Sequence, residues 1–147
     1  MNNAMARKLN LLIVDDDPSI VRLIEHMVQR NLADKMVVHG LSDSNEALRW
    51  LDHHCCDILI SDINMPDTDG LEMLRFAKAR NAWTQVIFVT GHSTWDRIAE
   101  AVEYGASDYL LKPVDQNDLI TLLSQLYVRC ARWQHAVLGT LQTAAAR

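Results

Sequence analysis

Residues 61–70 read SDINMPDTDG, and the fold turns on how this stretch is understood. The residues leading to Asp62, DILIS at 57–61, have the apolar content of a strand entering a protein core. The run then ends on an acid and breaks into a turn rich in Pro, Asp and Gly. A carboxylate at the mouth of a buried strand is costly unless its surroundings compensate it.

Working outward, similar β-type runs recur as LLIV (11–14), MVVH (36–39), VIFV (86–89) and DYLL (108–111), which with DILIS makes five strands. Helical spacing lies between them. It is carried by Ile20, Leu23, Ile24 and Met27, by Ala47, Leu48 and Leu51, by Leu71, Leu74, Phe76 and Ala77, and by Ile98, Ala101 and Val102. Asp17-Pro18 suits an N-cap and first helical residue, STWD at 93–96 resembles a capping box, and Gly105 can close the fourth helix. A last helix starts near Asn117. Strands alternating with helices across short loops predict a doubly wound α/β domain, a five-stranded parallel sheet with helices on both faces.

Composition narrows the function. The chain has 147 residues, 49% hydrophobic and 22% charged, enough to bury one substantial core. Fourteen basic residues against 19 acidic give a net charge of -5, and no Lys/Arg run resembles a nucleic-acid footprint, so direct DNA binding is disfavoured. Neither a membrane-length apolar run nor a secretory signal is present, and the expected location is cytoplasmic. Cys55, Cys56 and Cys130 make a poor disulfide framework. HHCC at 53–56 has the wrong spacing for zinc and reads as a polar helix end followed by small thiols. The glycines at 40, 70, 91, 105 and 139 match neither a dinucleotide-binding nor a phosphate-loop pattern.

In open α/β sheets, ligands bind beyond the carboxyl ends of the strands. At those ends this sequence places Asp15 and Asp16, Asp62, Thr90 and Lys112. Each has an ordinary explanation alone, as a turn former, a strand-ending residue or a solvated charge. Together, three neighbouring carboxylates would repel by roughly 1–4 kcal/mol per pair at ~4 Å, which calls for positive charge. Lys112 supplies one charge, and Mg2+ fits the remainder because it takes one or two carboxylates and retains water. An Asp held beside a cation, an ammonium and a hydroxyl is equipped to attack phosphorus and form an aspartyl phosphate, and Asp62 is the best-placed nucleophile.

The motifs VDDDPS (14–19), SDINMPDTDG (61–70), VTG (89–91) and DYLLKP (108–113) resemble, in order, a receiver domain of the two-component response regulators over about residues 9–130. The resemblance implies a flavodoxin-like fold with strand order 2-1-3-4-5. It also implies that Asp62 is the phosphoacceptor and a Mg2+ ligand, Asp16 a direct Mg2+ ligand, Asp15 a helper through water and the Asn64 carbonyl a third ligand. Thr90 and Lys112 would hold the phosphoryl group, Tyr109 would be a switch moving inward with Thr90, and Lys112-Pro113 would be cis. Gly91 would leave room for the phosphoryl group, while His92 and Asn64 would flank the attacking water and tune phosphate lifetime. The implied partners are a sensor histidine kinase or phosphotransfer protein upstream, and a protein target or output domain downstream.

Two alternatives compete. A haloacid-dehalogenase-like phosphatase also uses a strand-end Asp with Mg2+, but its D-x-D pattern meets DIN here. A non-phosphorylated docking pseudoreceiver would lack a site residue, and none is missing. Residues 1–8 read as an N-terminal extension and 131–147 as a helical extension or linker, so the chain is either a stand-alone receiver or part of a longer regulator. Leu119, Leu123, Leu126, Cys130, Trp133 and Val137 step by 4, 3, 4, 3 and 4, the spacing of a coiled-coil seam and hence of a homodimer. Gly139 and Thr140 interrupt that seam, and Arg129, Arg132 and Arg147 follow residue 118 with no acid among them.

Overall fold

The computed structural model describes residues 7–145, with side chains through Leu141. Most of the expected N-terminal extension, 1–6, and Arg147 lie outside the described residues. The five apolar runs become strands β1 (Leu9–Val14), β2 (Met36–Leu41), β3 (Ile58–Ser61), β4 (Gln85–Thr90) and β5 (Asp108–Leu111). The helices are α1 (Pro18–Leu32), α2 (Ser44–His53), α3 (Gly70–Arg80), α4 (Trp95–Glu103) and α5 (Gln116–Ala145). All strand pairs are parallel, in the order β2-β1-β3-β4-β5.

The central strands are apolar throughout because both their faces are covered. With side chains alternating, Leu11, Ile13, Ile60, Ile87 and Val89 pack against Ile24 and Val28 of α1 and Leu119 and Leu123 of α5. The intervening Leu12, Val14, Leu59 and Phe88 pack against Ala47 of α2, Leu74 of α3 and Ala101 of α4. The register pairs Val14 with Ser61 and Ser61 with Phe88, so β1, β3 and β4 deliver their next residues to one edge.

Local signals hold in part. Asp17 caps α1 by accepting from Ser19 N, with Pro18 first in the helix, and Gly105 follows α4 at φ +94°. The capping box shifts by one residue: Thr94, not Ser93, caps α4 by accepting from Arg97 N. Asp57 stays outside β3, where its carboxylate accepts from the Arg7 guanidinium at 2.7 and 2.9 Å and from Asn10 N at 2.8 Å. Leu23 and Val102 follow helical spacing, yet both are exposed, Val102 to 69%.

The C-terminal helix runs unbroken for 30 residues, ~45 Å at 1.5 Å each, so no break marks residue 131. Thr140 remains helical, its hydroxyl donating to Ala136 O at 2.9 Å. The predicted seam divides. Leu119, Leu123 and Leu126 are in the core, whereas Cys130, Trp133 and Val137 line a cavity of about 360 Å3 with Arg7, Trp83 and Gln85, at the amino ends of the strands.

The cysteines are free, and burial pushes the Cys56 thiol up to about 12. His54 stacks on Trp50 with ring centroids 4.6 Å apart.

Candidate functional site

Backbone bonds from the sheet set the acids in place: Asp15 N donates to Leu41 O at 3.3 Å and Asp62 N to Val14 O at 3.2 Å. One carboxylate oxygen from each of Asp15, Asp16 and Asp62 falls within 4.8 Å of the others. This is the one group of three potential metal-ligating acids, cysteines or histidines among the described residues. Asp15 is 3% and Asp62 8% exposed, while Asp16 opens to solvent.

Lys112 reaches across from the end of β5. Its ammonium lies 2.8 Å from Asp15 Oδ2 and 2.9 Å from Asp62 Oδ2. Lys112 N also donates to Thr90 O at 3.0 Å, which ties β5 to the end of β4. The second Asp15 oxygen accepts from Asp17 N at 2.9 Å and the second Asp62 oxygen from Asn64 N at 3.2 Å. The Lys112-Pro113 bond is cis, as the resemblance implies.

Thr90 is buried and its hydroxyl donates to the backbone carbonyl of His92 at 3.3 Å. The Asn64 side-chain amide donates to the same carbonyl. The His92 residue is exposed, and it is its backbone oxygen that joins the site. Tyr109 is half-buried against the cluster containing Phe88. An added Cβ at Gly91 would meet Lys112 Cβ at an ordinary 3.6 Å. Gly70 is crowded by backbone, where a Cβ would stand 2.2 Å from Asp62 O.

One pair escaped the sequence reading. Arg97 of α4 lies 3.1 Å from Asp69 Oδ2, while Asp69 Oδ1 caps α3 by accepting from Glu72 N at 3.0 Å. An arginine in the first turn of a helix opposes the helix dipole, which hints at an acidic partner, but nothing local identifies Asp69.

The donor set fits Mg2+: every candidate ligand is an oxygen, and three carboxylates face one ammonium. Burial raises the Asp15 carboxyl above the usual range, against the opposing effects of Lys112 and Asp17 N–H. Burial lowers the Lys112 ammonium, but its bonds to Asp15 and Asp62 outweigh this and hold it above its ordinary value. Because the folded state binds the Asp15 proton more tightly than the unfolded state does, the associated stability is full at acid pH. It is lost as pH rises from the ordinary carboxylate range through the folded value. Asp15→Asn is therefore expected to stabilise the metal-free protein at neutral pH while weakening Mg2+ binding. Thermal unfolding with and without Mg2+ checks this, and a variant destabilised without metal would contradict it.

Residues 11–124 match the family model of the response regulator receiver domain. The chain belongs to the response regulator receiver family. The receiver is 36% identical over 119 residues to the DNA-binding transcriptional regulator NtrC of Proteus hauseri, covering 81% of this chain and 24% of that protein. It is 36% identical over 117 residues to the transcriptional regulatory protein MalR of Bacillus subtilis, covering 79% of this chain and 49% of that one. The receiver thus spans a quarter to a half of these curated relatives. Among solved structures, a receiver domain protein from Clostridium thermocellum superposes with a TM-score of 0.72 at 30% identity, covering 88% of this chain and 98% of that one. A CheY-like receiver from Methanospirillum hungatei gives 0.78 at 23% identity, covering 87% and 99%, which supports the fold. A receiver is a signalling switch, and the family holds Mg2+ at such an acidic pocket. Among the described residues, no helix is long and apolar enough to cross a membrane.

Proposed function

We propose that Asp62 accepts a phosphoryl group from the phosphohistidine of a sensor histidine kinase or phosphotransfer protein. The observation carrying this reading is the single ammonium of Lys112 shared between Asp15 and Asp62 at the end of the sheet. An Asp62 oxygen bonds to phosphorus as the phosphorus–nitrogen bond breaks and the histidine nitrogen keeps that electron pair. Mg2+, when bound, neutralises charge on the phosphoryl oxygens. Asp16 would hold it directly, Asp15 through water, and Asn64 through its carbonyl. Lys112 stays as counter-charge, and Thr90 turns its hydroxyl from His92 O towards a phosphoryl oxygen.

Tyr109 then moves inward behind Thr90, altering the surface of α4, β5 and α5 that docks the next protein. Exposed Trp95, Val102 and Leu111 lie on α4 and at the end of β5, and docking accounts for an apolar Val102 on the surface. Direct DNA contact is left outside this domain, in a chain whose net charge is -5, although the names of its longer relatives include DNA binding. Family membership sets aside the dehalogenase-like phosphatase. The complete set of acids, Thr90 and Lys112 disfavours a pseudoreceiver.

Intact-mass analysis with acetyl phosphate tests the reading. Wild type should gain about 80 Da, one HPO3, with Mg2+ and not with EDTA, and Asp62→Asn should gain nothing. In the same assay, Asn64→Ala and His92→Ala should change the rate at which the added mass is lost; unchanged decay in both would remove them as lifetime residues.

The C-terminal helix is assigned to self-association, with a second copy covering Trp133 and the exposed Leu138 and Leu141. Sedimentation should find the full chain dimeric and a chain ending at Arg129 monomeric; two monomers at tens of micromolar, roughly the upper range for a weak specific dimer, would contradict it.

A further inference from the structure

Arg97 has no role in the chemistry above, yet it joins the two loops that frame Asp62. Its Nη2 donates to Asp69 Oδ2 at 3.1 Å and approaches Ile63 O at 3.5 Å. Ile63 directly follows Asp62, and its carbonyl also accepts from Gly70 N at 2.7 Å. Asp69 uses its other oxygen to cap α3. One guanidinium therefore ties the start of α4 to both ends of the segment between Asp62 and α3.

The loop from His92 to Thr94 is held at a second point, where His92 O accepts from Thr90 and Asn64. Thr90 can reach a phosphoryl oxygen only by giving up that bond. The resting loop is also poorly satisfied within itself. Ser93 Oγ is the buried side-chain polar atom without a partner among the described residues, and Trp95 stands 80% exposed. Arg97, in the first turn of α4, gives this stretch a contact outside itself, to Asp69 and Ile63 O.

We propose that Arg97 is a positioning residue: paired with Asp69, it holds the loop between β4 and α4 in its resting arrangement and so sets how readily Asp62 takes a phosphoryl group. This inference rests on Asp62 being the phosphoacceptor. A contact made in the resting state opposes whatever binds the other state, and by linkage its removal tightens that binding. The effect is opposite to that of a residue that merely supports the site.

The test uses the full chain with beryllium fluoride and Mg2+ as the probe, titrated by amide NMR. Arg97→Ala should tighten the apparent Kd by about five- to tenfold, the low end of coupling between sites. Asp69→Asn should do the same, since asparagine still caps α3 but loses the charge that holds Arg97. The double variant should go no further, because both changes break one interaction. Arg97→Lys should stay near wild type. If wild type binds and both single variants are unchanged or weaker, or their effects add, the inference is overturned alone. If wild type binds no beryllium fluoride, the phosphoacceptor reading fails and takes this inference with it.

Discussion

In metal-free buffer, Lys112→Ala is expected to lower the unfolding free energy by about 3 kcal/mol, the low end for breaking a buried ion pair because the lysine is partly solvated. Two carboxylates that are almost wholly buried share this one ammonium. Truncation leaves both without their cation, and burial already disfavours the charged form of Asp15. The loss should shrink at acid pH, where the Asp15 carboxyl, raised by burial, takes up its proton. It should be largely recovered by Mg2+, which binds the folded state and stabilises it by mass action. For wild type the raised Lys112 value contributes stabilisation that is full below the ordinary lysine range and is lost as pH rises through the folded value. Urea unfolding at pH 5 and 7, with and without Mg2+, checks the variant, and metal-free unfolding carried from pH 7 to above the ordinary lysine range checks the wild type. A loss below ~1 kcal/mol that is indifferent to Mg2+ would place Lys112 in the class of ordinary surface ion pairs.

Gly70→Ala should be as damaging by a steric route. An added Cβ would lie 2.2 Å from Asp62 O and 2.6 Å from Ile63 Cα. These are backbone atoms of the segment that aims the nucleophile, so relief means displacing the site itself. Overpacking against an immovable neighbour is expected to cost about 3 kcal/mol, or ~10 °C in Tm at this chain length. Gly91→Ala is the control, because its nearest contact would be an ordinary 3.6 Å and its effect should stay below ~1 kcal/mol. Equal losses at the two glycines would show that helix and loop propensity, not crowding beneath Asp62, governs both.

The sheet was legible because both faces of its central strands are covered, which turns LLIV, ILIS and VIFV into uninterrupted apolar runs. The acids were legible because parallel strands deliver their carboxyl ends to one edge. Leu23 and Val102 are helical as their spacing suggests, but apolar spacing on a helix does not distinguish a core stripe from an exposed one. Ser93 and Thr94 both suit an N-cap, and only the path of the loop selects Thr94. The seam from Cys130 to Val137 kept its helical phase, but sequence could not reveal that Trp83 would share its cavity. The least legible features were the His92 carbonyl, a backbone atom that any residue offers, and the Arg97–Asp69 pair, joined across 28 residues by the packing of α4 beside α3.

The central claim is that one carboxylate, Asp62, carries the phosphoryl group. Borohydride reduces an acyl phosphate to an alcohol, so an aspartyl phosphate is converted to homoserine at the position where it formed. Wild-type protein treated with acetyl phosphate and Mg2+, reduced with borohydride and mapped by peptide mass, should contain homoserine at position 62 and at no other aspartate. Homoserine at 15 or 16, or none in a protein that has gained phosphoryl mass, would contradict the account.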